Sequence, residues 1–153
     1  MTVLIIFTAK YLIGLSLALF IGYALLMRRK RGFLKYALLV LVTSYLLALI
    51  AGFFYYDTRP FVNLGTSPLV AHAADNGFPS DHTLLAATLA AIVTPGNVPL
   101  GIVLWVIALL IGATRVLALV HYPIDIVASC VIAIVSAPLV WRLRLWRGPS
   151  APF

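Results

Sequence analysis

Gly112-Ala-Thr-Arg-Val-Leu-Ala-Leu-Val-His-Tyr-Pro-Ile-Asp-Ile126 is the stretch from which the rest of the chain can be read. Arg115, His121 and Asp125 stand in it as charged or titratable groups within a long apolar region. Ionisable groups inside membrane-spanning sequence are costly and mark functional sites. Pro123 suits the first position of a helix, which puts Asp125 in the first turn and His121 just ahead of it. The carboxylate then reaches back to the imidazole, fixing its tautomer and stabilising the cation formed when the histidine reacts. That is the base–orienter half of a catalytic triad. Arg115 closes the preceding apolar segment and offers a planar fork of donors to a phosphate.

Working outward, the composition sets the class. The chain has 153 residues, 63% of them hydrophobic, and a mean hydropathy of +1.10, which excludes an ordinary soluble domain. An all-α, polytopic membrane helix bundle of about five transmembrane helices is expected, forming one domain over residues 1–153. The net charge of +7 does not indicate nucleic acid, because the basic residues are not spread over a surface. Eight of the eleven fall in two runs, Arg28-Arg29-Lys30-Arg31 with Lys35, and Arg142, Arg144 and Arg147. Both runs flank apolar segments, as cytoplasmic membrane borders do. Lys10, Arg59 and Arg115 lie elsewhere. Cys130 is a lone cysteine in an apolar segment and reads as a small core residue. The first apolar segment lacks the charged leader and small-residue cleavage site of a signal peptide.

In chain order, Val3 to Met27 is long enough to span, since a helix needs roughly 20 apolar residues to cross a core of about 30 Å. Lys10 within it is expected to snorkel to the nearer interface, the alternative being an extra cation at the phosphate site. Phe33 to Tyr56 is the second span and ends in an aromatic belt, Phe53 to Tyr56. Pro60 disfavours helix for the residue before it, and Phe61 to Phe78 is read as a long loop carrying Pro68, His72, Asp75 and Gly77. Pro79-Ser-Asp-His82 opens a third helix with Ser80 as N-cap. It runs to about Thr94, too short to cross comfortably, and its Thr/Ala-rich faces suit packing inside the bundle. Pro95 to Pro99 is a turn, Leu100 to Leu119 the fourth span, and Pro123 to Trp141 the fifth. With both basic runs in the cytoplasm, the N-terminus lies outside and the C-terminus inside. Arg59, His82, Arg115 and His121 then share the outer side.

Two of the three elements that meet there begin helices, where free N–H groups and the dipole favour an anion. Two arginines add charge, and two histidines can act as nucleophile and acid. No metal site and no cofactor are expected, because metal-assisted phosphate chemistry usually gathers several carboxylates and the chain has four acidic residues. Phosphoryl transfer through a phosphohistidine fits these parts.

The elements resemble the phosphatidic-acid-phosphatase type 2 superfamily, whose pattern is K-x6-R-P, P-S-G-H and S-R-x5-H-x3-D. Arg115-x5-His121-x3-Asp125 matches the third motif in spacing, Pro79, Ser80 and His82 the second, and Arg59-Pro60 the end of the first. Gly52 stands where the family has Lys, Asp81 replaces Gly and Thr114 replaces Ser. Asp81, Arg-Pro-Phe-Val at 59–62 and His72-x2-Asp75-x2-Phe78 resemble the undecaprenyl-diphosphate phosphatase branch. The resemblance implies that His121 attacks phosphorus, Asp125 orients it, and His82 protonates the leaving group. Arg59, Arg115, Ser80 and the Thr114 hydroxyl would hold phosphate oxygens, with Asp81 beside them. His72 reads as a structural histidine, Asp75 as a turn residue, and the tryptophans as membrane anchors or packing.

The implied partners are membrane lipids and a lipid diphosphate substrate, with the active site on the outer face of the cell membrane. The alternatives are a phosphatidic acid or phosphatidylglycerol phosphate monophosphatase, or a non-catalytic membrane lipid-binding or transport protein. The oligomeric state is left open.

Overall fold

A computed structural model describes residues 2–29 and 32–143. Six helices follow one another: α1 Thr2–Met27, α2 Phe33–Phe54, α3 Pro60–Asn63, α4 Asp81–Val93, α5 Val98–Leu117 and α6 Pro123–Leu143. Five of them are the segments expected from hydropathy. The sixth, α3, is a single turn where the sequence suggested loop, and Pro60 at its start supplies the fixed φ that favours a first helical position. The Lys10 side chain, Lys30, Arg31, Arg144, Trp146 and Arg147 lie outside the described residues, and with them the expectations placed on those positions.

The bundle is built around its shortest long helix. Ten of the thirteen α4 residues are buried, from Thr83 to Val93, and α4 packs against α1, α2, α5 and α6. At about 1.5 Å per residue it is near 20 Å long, short of a bilayer core, so only enclosure by longer helices makes it viable. Small side chains allow that enclosure: Ala86, Ala87 and Ala90 are fully buried. The surrounding helices show their large apolar residues outward, among them Leu38, Leu46 and Leu49 of α2, Ile102 and Leu109 of α5, and Val127 and Val131 of α6. Such an exterior suits lipid, not water. Helices α2, α5 and α6 are each long and apolar enough to cross a membrane.

Antiparallel alternation sends the C-terminal ends of α2 and α5 and the N-terminal ends of α4 and α6 to one end. At the other end the Tyr36 ring of α2 meets Trp141 of α6 at 6.1 Å, so Arg28, Arg29, Lys35 and Arg142 gather far from that set. The connection between α3 and α4 is pinned at both of its margins. Phe61 and Val70 pack with Ala118 and Val120 in a small core beneath it, and Leu69 N–H donates to Ala118 O at 3.2 Å. Thr58 and Asn76 pair across its base. The Asn76 side chain then donates to Gly52 O and Tyr55 O at 3.0 and 3.1 Å and accepts from Asp57 N–H and Phe78 N–H.

Candidate active site

His121 occupies the turn between α5 and α6 and is 2% exposed. Its Nδ1 lies 2.8 Å from the Gly77 carbonyl oxygen and 3.3 Å from Asp125 Oδ2. Both are acceptors, so Nδ1 carries the proton. Its Nε2 lies 3.4 Å from Arg59 Nη1, and a guanidinium only donates. Nε2 therefore presents a lone pair. These partners leave the Nε2 lone pair turned toward Arg59, the geometry that a nucleophilic histidine would need.

Asp125 orients the ring as its spacing suggests, yet the nearer acceptor is a backbone carbonyl that no residue pattern announced. Asp125 Oδ2 also accepts from Tyr122 N–H at 2.8 Å, the side-chain half of a capping box at the start of α6. Asp57 is a further member that the sequence reading did not single out. Burial, then the charge and side-chain contact of Asp125, raise its pKa above the ordinary carboxylate value.

The two arginines are placed differently. Arg59, 4% exposed, is held on every side: Nε to Asp75 Oδ1 at 2.8 Å, Nη1 to Val120 O at 2.9 Å and Nη2 to Asn76 O at 3.2 Å. Asp75, read from sequence as a turn residue, is the counter-ion that positions it, and that contact holds the Asp75 carboxyl below its usual range. Arg115 is 3% exposed, and its Nε and Nη2 have no hydrogen-bond partner among the described residues. Leaving donors of a buried cation unsatisfied costs at least about 1–3 kcal/mol. An anion at this position removes that cost.

Ser80 is the N-cap residue of α4 by position, but its side chain makes no capping bond. Its N–H instead points to Asp125 O at 3.4 Å, and its carbonyl accepts from Ser129 Oγ at 2.9 Å. Ser80 thus fastens α4 to α6. Its hydroxyl accepts from Thr83 Oγ1 at 3.2 Å and keeps its own proton for a ligand, whereas its N–H is already engaged. His82 is half-buried and interacts electrostatically with Arg115, Asp81, His121 and His72. Asp81 is exposed in the first turn of α4. The structure does not bring Thr114 into this set by any hydrogen bond: its Oγ1 donates back to Ile111 O at 2.8 Å within α5.

Gly52, where the first motif has Lys, is closely packed. A Cβ there would lie 3.0 Å from the Phe78 carbonyl oxygen, with Pro79 Cδ at 3.9 Å. The end of α2 thus lies under the Phe78–Pro79 backbone, which would have to give by a few tenths of an ångström to admit a side chain.

The sequence model of the PAP2 superfamily matches residues 33–149. The chain belongs to the PAP2 superfamily. Among curated PAP2-related proteins, it is 30% identical over 149 residues to the bacitracin transport permease protein BcrC of Bacillus licheniformis, a match covering 96% of this chain and 71% of that one. It is 38% identical over 102 residues to undecaprenyl-diphosphatase BcrC of Bacillus subtilis, covering 67% of this chain and 51% of that protein. The chain thus spans about half the length of the second relative. Two PAP2-like solved structures share the fold. Aquifex aeolicus LpxE superposes with a TM-score of 0.75 at 24% identity, covering 92% of this chain and 86% of its own. A Bacillus subtilis PAP2-type phosphatidylglycerolphosphate phosphatase gives 0.66 at 22%, covering 98% and 79%. The fold, the membrane setting and the family assignment of the PAP2 protein described here rest on these matches together with its apolar helices.

Proposed function

We propose that this PAP2 protein is a membrane lipid phosphatase that removes the terminal phosphate of a polyprenyl diphosphate such as undecaprenyl diphosphate. The observation that carries the reading is His121, held in the tautomer that presents Nε2 beside Arg59, with the two unpartnered donors of Arg115 in the same polar cluster. The 38% identical relative named an undecaprenyl-diphosphatase supports the substrate.

In this mechanism the phosphate enters between the arginines, and Arg59 Nη1 exchanges Nε2 for a phosphate oxygen. Nε2 forms a bond to the terminal phosphorus as the bond to the bridging oxygen breaks, and lipid monophosphate leaves. His82 gives a proton to that oxygen where the leaving group needs one. Water, relieved of a proton by the same His82, then attacks the phosphohistidine and releases inorganic phosphate. Arg115, Arg59 and the Ser80 hydroxyl stabilise the charge as it shifts. Each such preorganised donor is worth about 10²–10³ in rate. An apolar groove of about 470 Å³ between α5 and α6, lined by Gly112, Val116, Ile126 and Val127, suits a prenyl tail. The basic residues at the opposite end favour a cytoplasmic position for that end, which puts this chemistry on the outer face.

A second reading has one specific support, the transport name of the 30% identical relative: a lipid-binding or transport bundle without turnover. Phosphate release by the purified protein from undecaprenyl diphosphate, phosphatidic acid and phosphatidylglycerol phosphate separates the readings. Preference for the diphosphate, lost in His121→Ala, is expected. Preference for either monophosphate would move the substrate, and no release from any of them would favour the binder.

A further inference from the structure

We propose that His72 is a third histidine of the phosphate site, hydrogen-bonding an oxygen of the phosphoryl group that His121 attacks. This rests on the phosphotransfer reading above, though not on which lipid is the substrate. His72 lies on the connection between α3 and α4, and its ring stands edge-on to that of His121 with centroids 6.0 Å apart. That connection is not loose at this point. Leu69 and Val70 anchor it just before His72, and Asp75 and Asn76 anchor it just after.

Unmet hydrogen-bonding capacity marks the place. Buried side-chain atoms without a partner among the described residues include His72 Nδ1, Arg115 Nε and Arg115 Nη2. His72 interacts electrostatically with Arg59, Arg115, His121 and Asp75, and His82 feels it in turn. Three orphaned atoms, one on the ring beside His121 and two on the guanidinium whose charge that ring feels, share a solution. A tetrahedral oxyanion has enough acceptor oxygens to satisfy all three, whereas no protein group among the described residues does so. Burial, then the charges of Arg59 and Arg115, lower the His72 pKa, with Asp75 opposing them. A ring held toward its neutral form can donate without adding to the repulsion between the arginines. The large majority of buried side-chain nitrogens are paired, with protein or ordered water, so an unpartnered one beside His121 points to a ligand position.

The test uses the full chain purified in detergent, with orthovanadate as the probe of the phosphoryl site. His72→Ala should raise the vanadate inhibition constant by about 10- to 100-fold, the range for losing a hydrogen bond to a charged group. His72→Asn, whose amide nitrogen can stand near Nδ1, should recover a large part of that loss. The unfolding midpoint of both variants should stay near that of the wild type. Unchanged vanadate inhibition in His72→Ala would overturn the role, as would an Asn variant no better than Ala. Should His72→Ala fail to fold, the comparison of Asn with wild type decides alone, and equal inhibition constants with a large drop in midpoint would make His72 structural. Wild-type turnover is read first. If the wild type releases no phosphate from any lipid and binds no vanadate, the functional reading falls and this role with it. Turnover with a vanadate constant indifferent to His72 sinks only the role.

Discussion

Gly112 gives the sharpest link between packing and chemistry. A Cβ built there overlaps Cγ2 of Ile126, while Thr83 Oγ1 at 3.4 Å is in ordinary contact, so one methyl would press on α6. Ordinary carbon–carbon contacts settle at about 3.5–4.0 Å, and relieving the overlap requires α5 and α6 to part by about 1 Å. Ile126 is stiff about its first side-chain bond, so the backbone must move. Over-packing of this kind costs about 1–3 kcal/mol. The helices that part carry Arg115, one turn beyond Gly112, and Asp125, next to Ile126. In the proposed mechanism these groups serve one phosphate, and a displacement of about 1 Å between them can cost about 10²-fold in rate. Gly112→Ala is therefore expected to lower kcat by about that factor while the midpoint of thermal unfolding falls by about 2–4 °C per kcal/mol. Ile126→Ala removes the obstructing methyl, so the double variant should retain more activity and stability than the two single losses combined. The assay is phosphate release together with thermal unfolding in one detergent. Wild-type turnover in Gly112→Ala, or strict additivity in the double variant, would refute the reasoning.

His82→Ala should cripple hydrolysis of a lipid monophosphate far more than of a lipid diphosphate. An alkoxide needs a proton to leave, whereas a lipid monophosphate, with a second pKa of about 6, departs with little help, and acid assistance is typically worth about 10²–10⁴. Equal losses in kcat on both substrates would make His82 chiefly a phosphate binder. Asp57 has a folded-state pKa raised above its ordinary value, so the stability it contributes is present below that ordinary value and is lost as pH rises through the raised one. Asp57→Asn removes the titrating group and should flatten the unfolding midpoint against pH across that window, and a profile as steep as wild type would count against a role for the Asp57 carboxyl in it. In a Cys130→Ser background, Asn63→Cys should react with an impermeant thiol reagent on intact cells and Arg29→Cys should not. The reverse labelling pattern would put the site on the cytoplasmic face.

Much of this was legible in the residues. Hydropathy and Pro/Gly punctuation gave the five long helices, and the spacing of Arg115, His121 and Asp125 gave the pairing of imidazole with carboxylate. Small residues along 83–91 announced that the short helix would be enclosed. What stayed hidden depends on backbone and on long-range packing. The Gly77 carbonyl that holds His121 Nδ1 has no residue-type signature, and neither does a proline that starts a one-turn helix instead of ending one. Asp75 read as a turn acid and Asp57 drew no attention because their partners, Arg59 and Asp125, lie 16 and 68 positions away. The burial of one nitrogen of His72 beside His121 is a matter of tertiary structure alone, so a structural role was the natural expectation for it. Ser80 carried a capping signal that its side chain does not use, since its hydroxyl accepts from Thr83 Oγ1 instead.

The central claim is that His121 carries the phosphoryl group, and rapid quenching tests it most directly. Purified protein mixed with lipid diphosphate labelled in its terminal phosphate should acquire label on His121, stable to base and released by acid, while turning over. His121→Ala should show neither label nor turnover, with the unfolding midpoint retained. Turnover that persists in His121→Ala, or label found on another residue, would contradict the account.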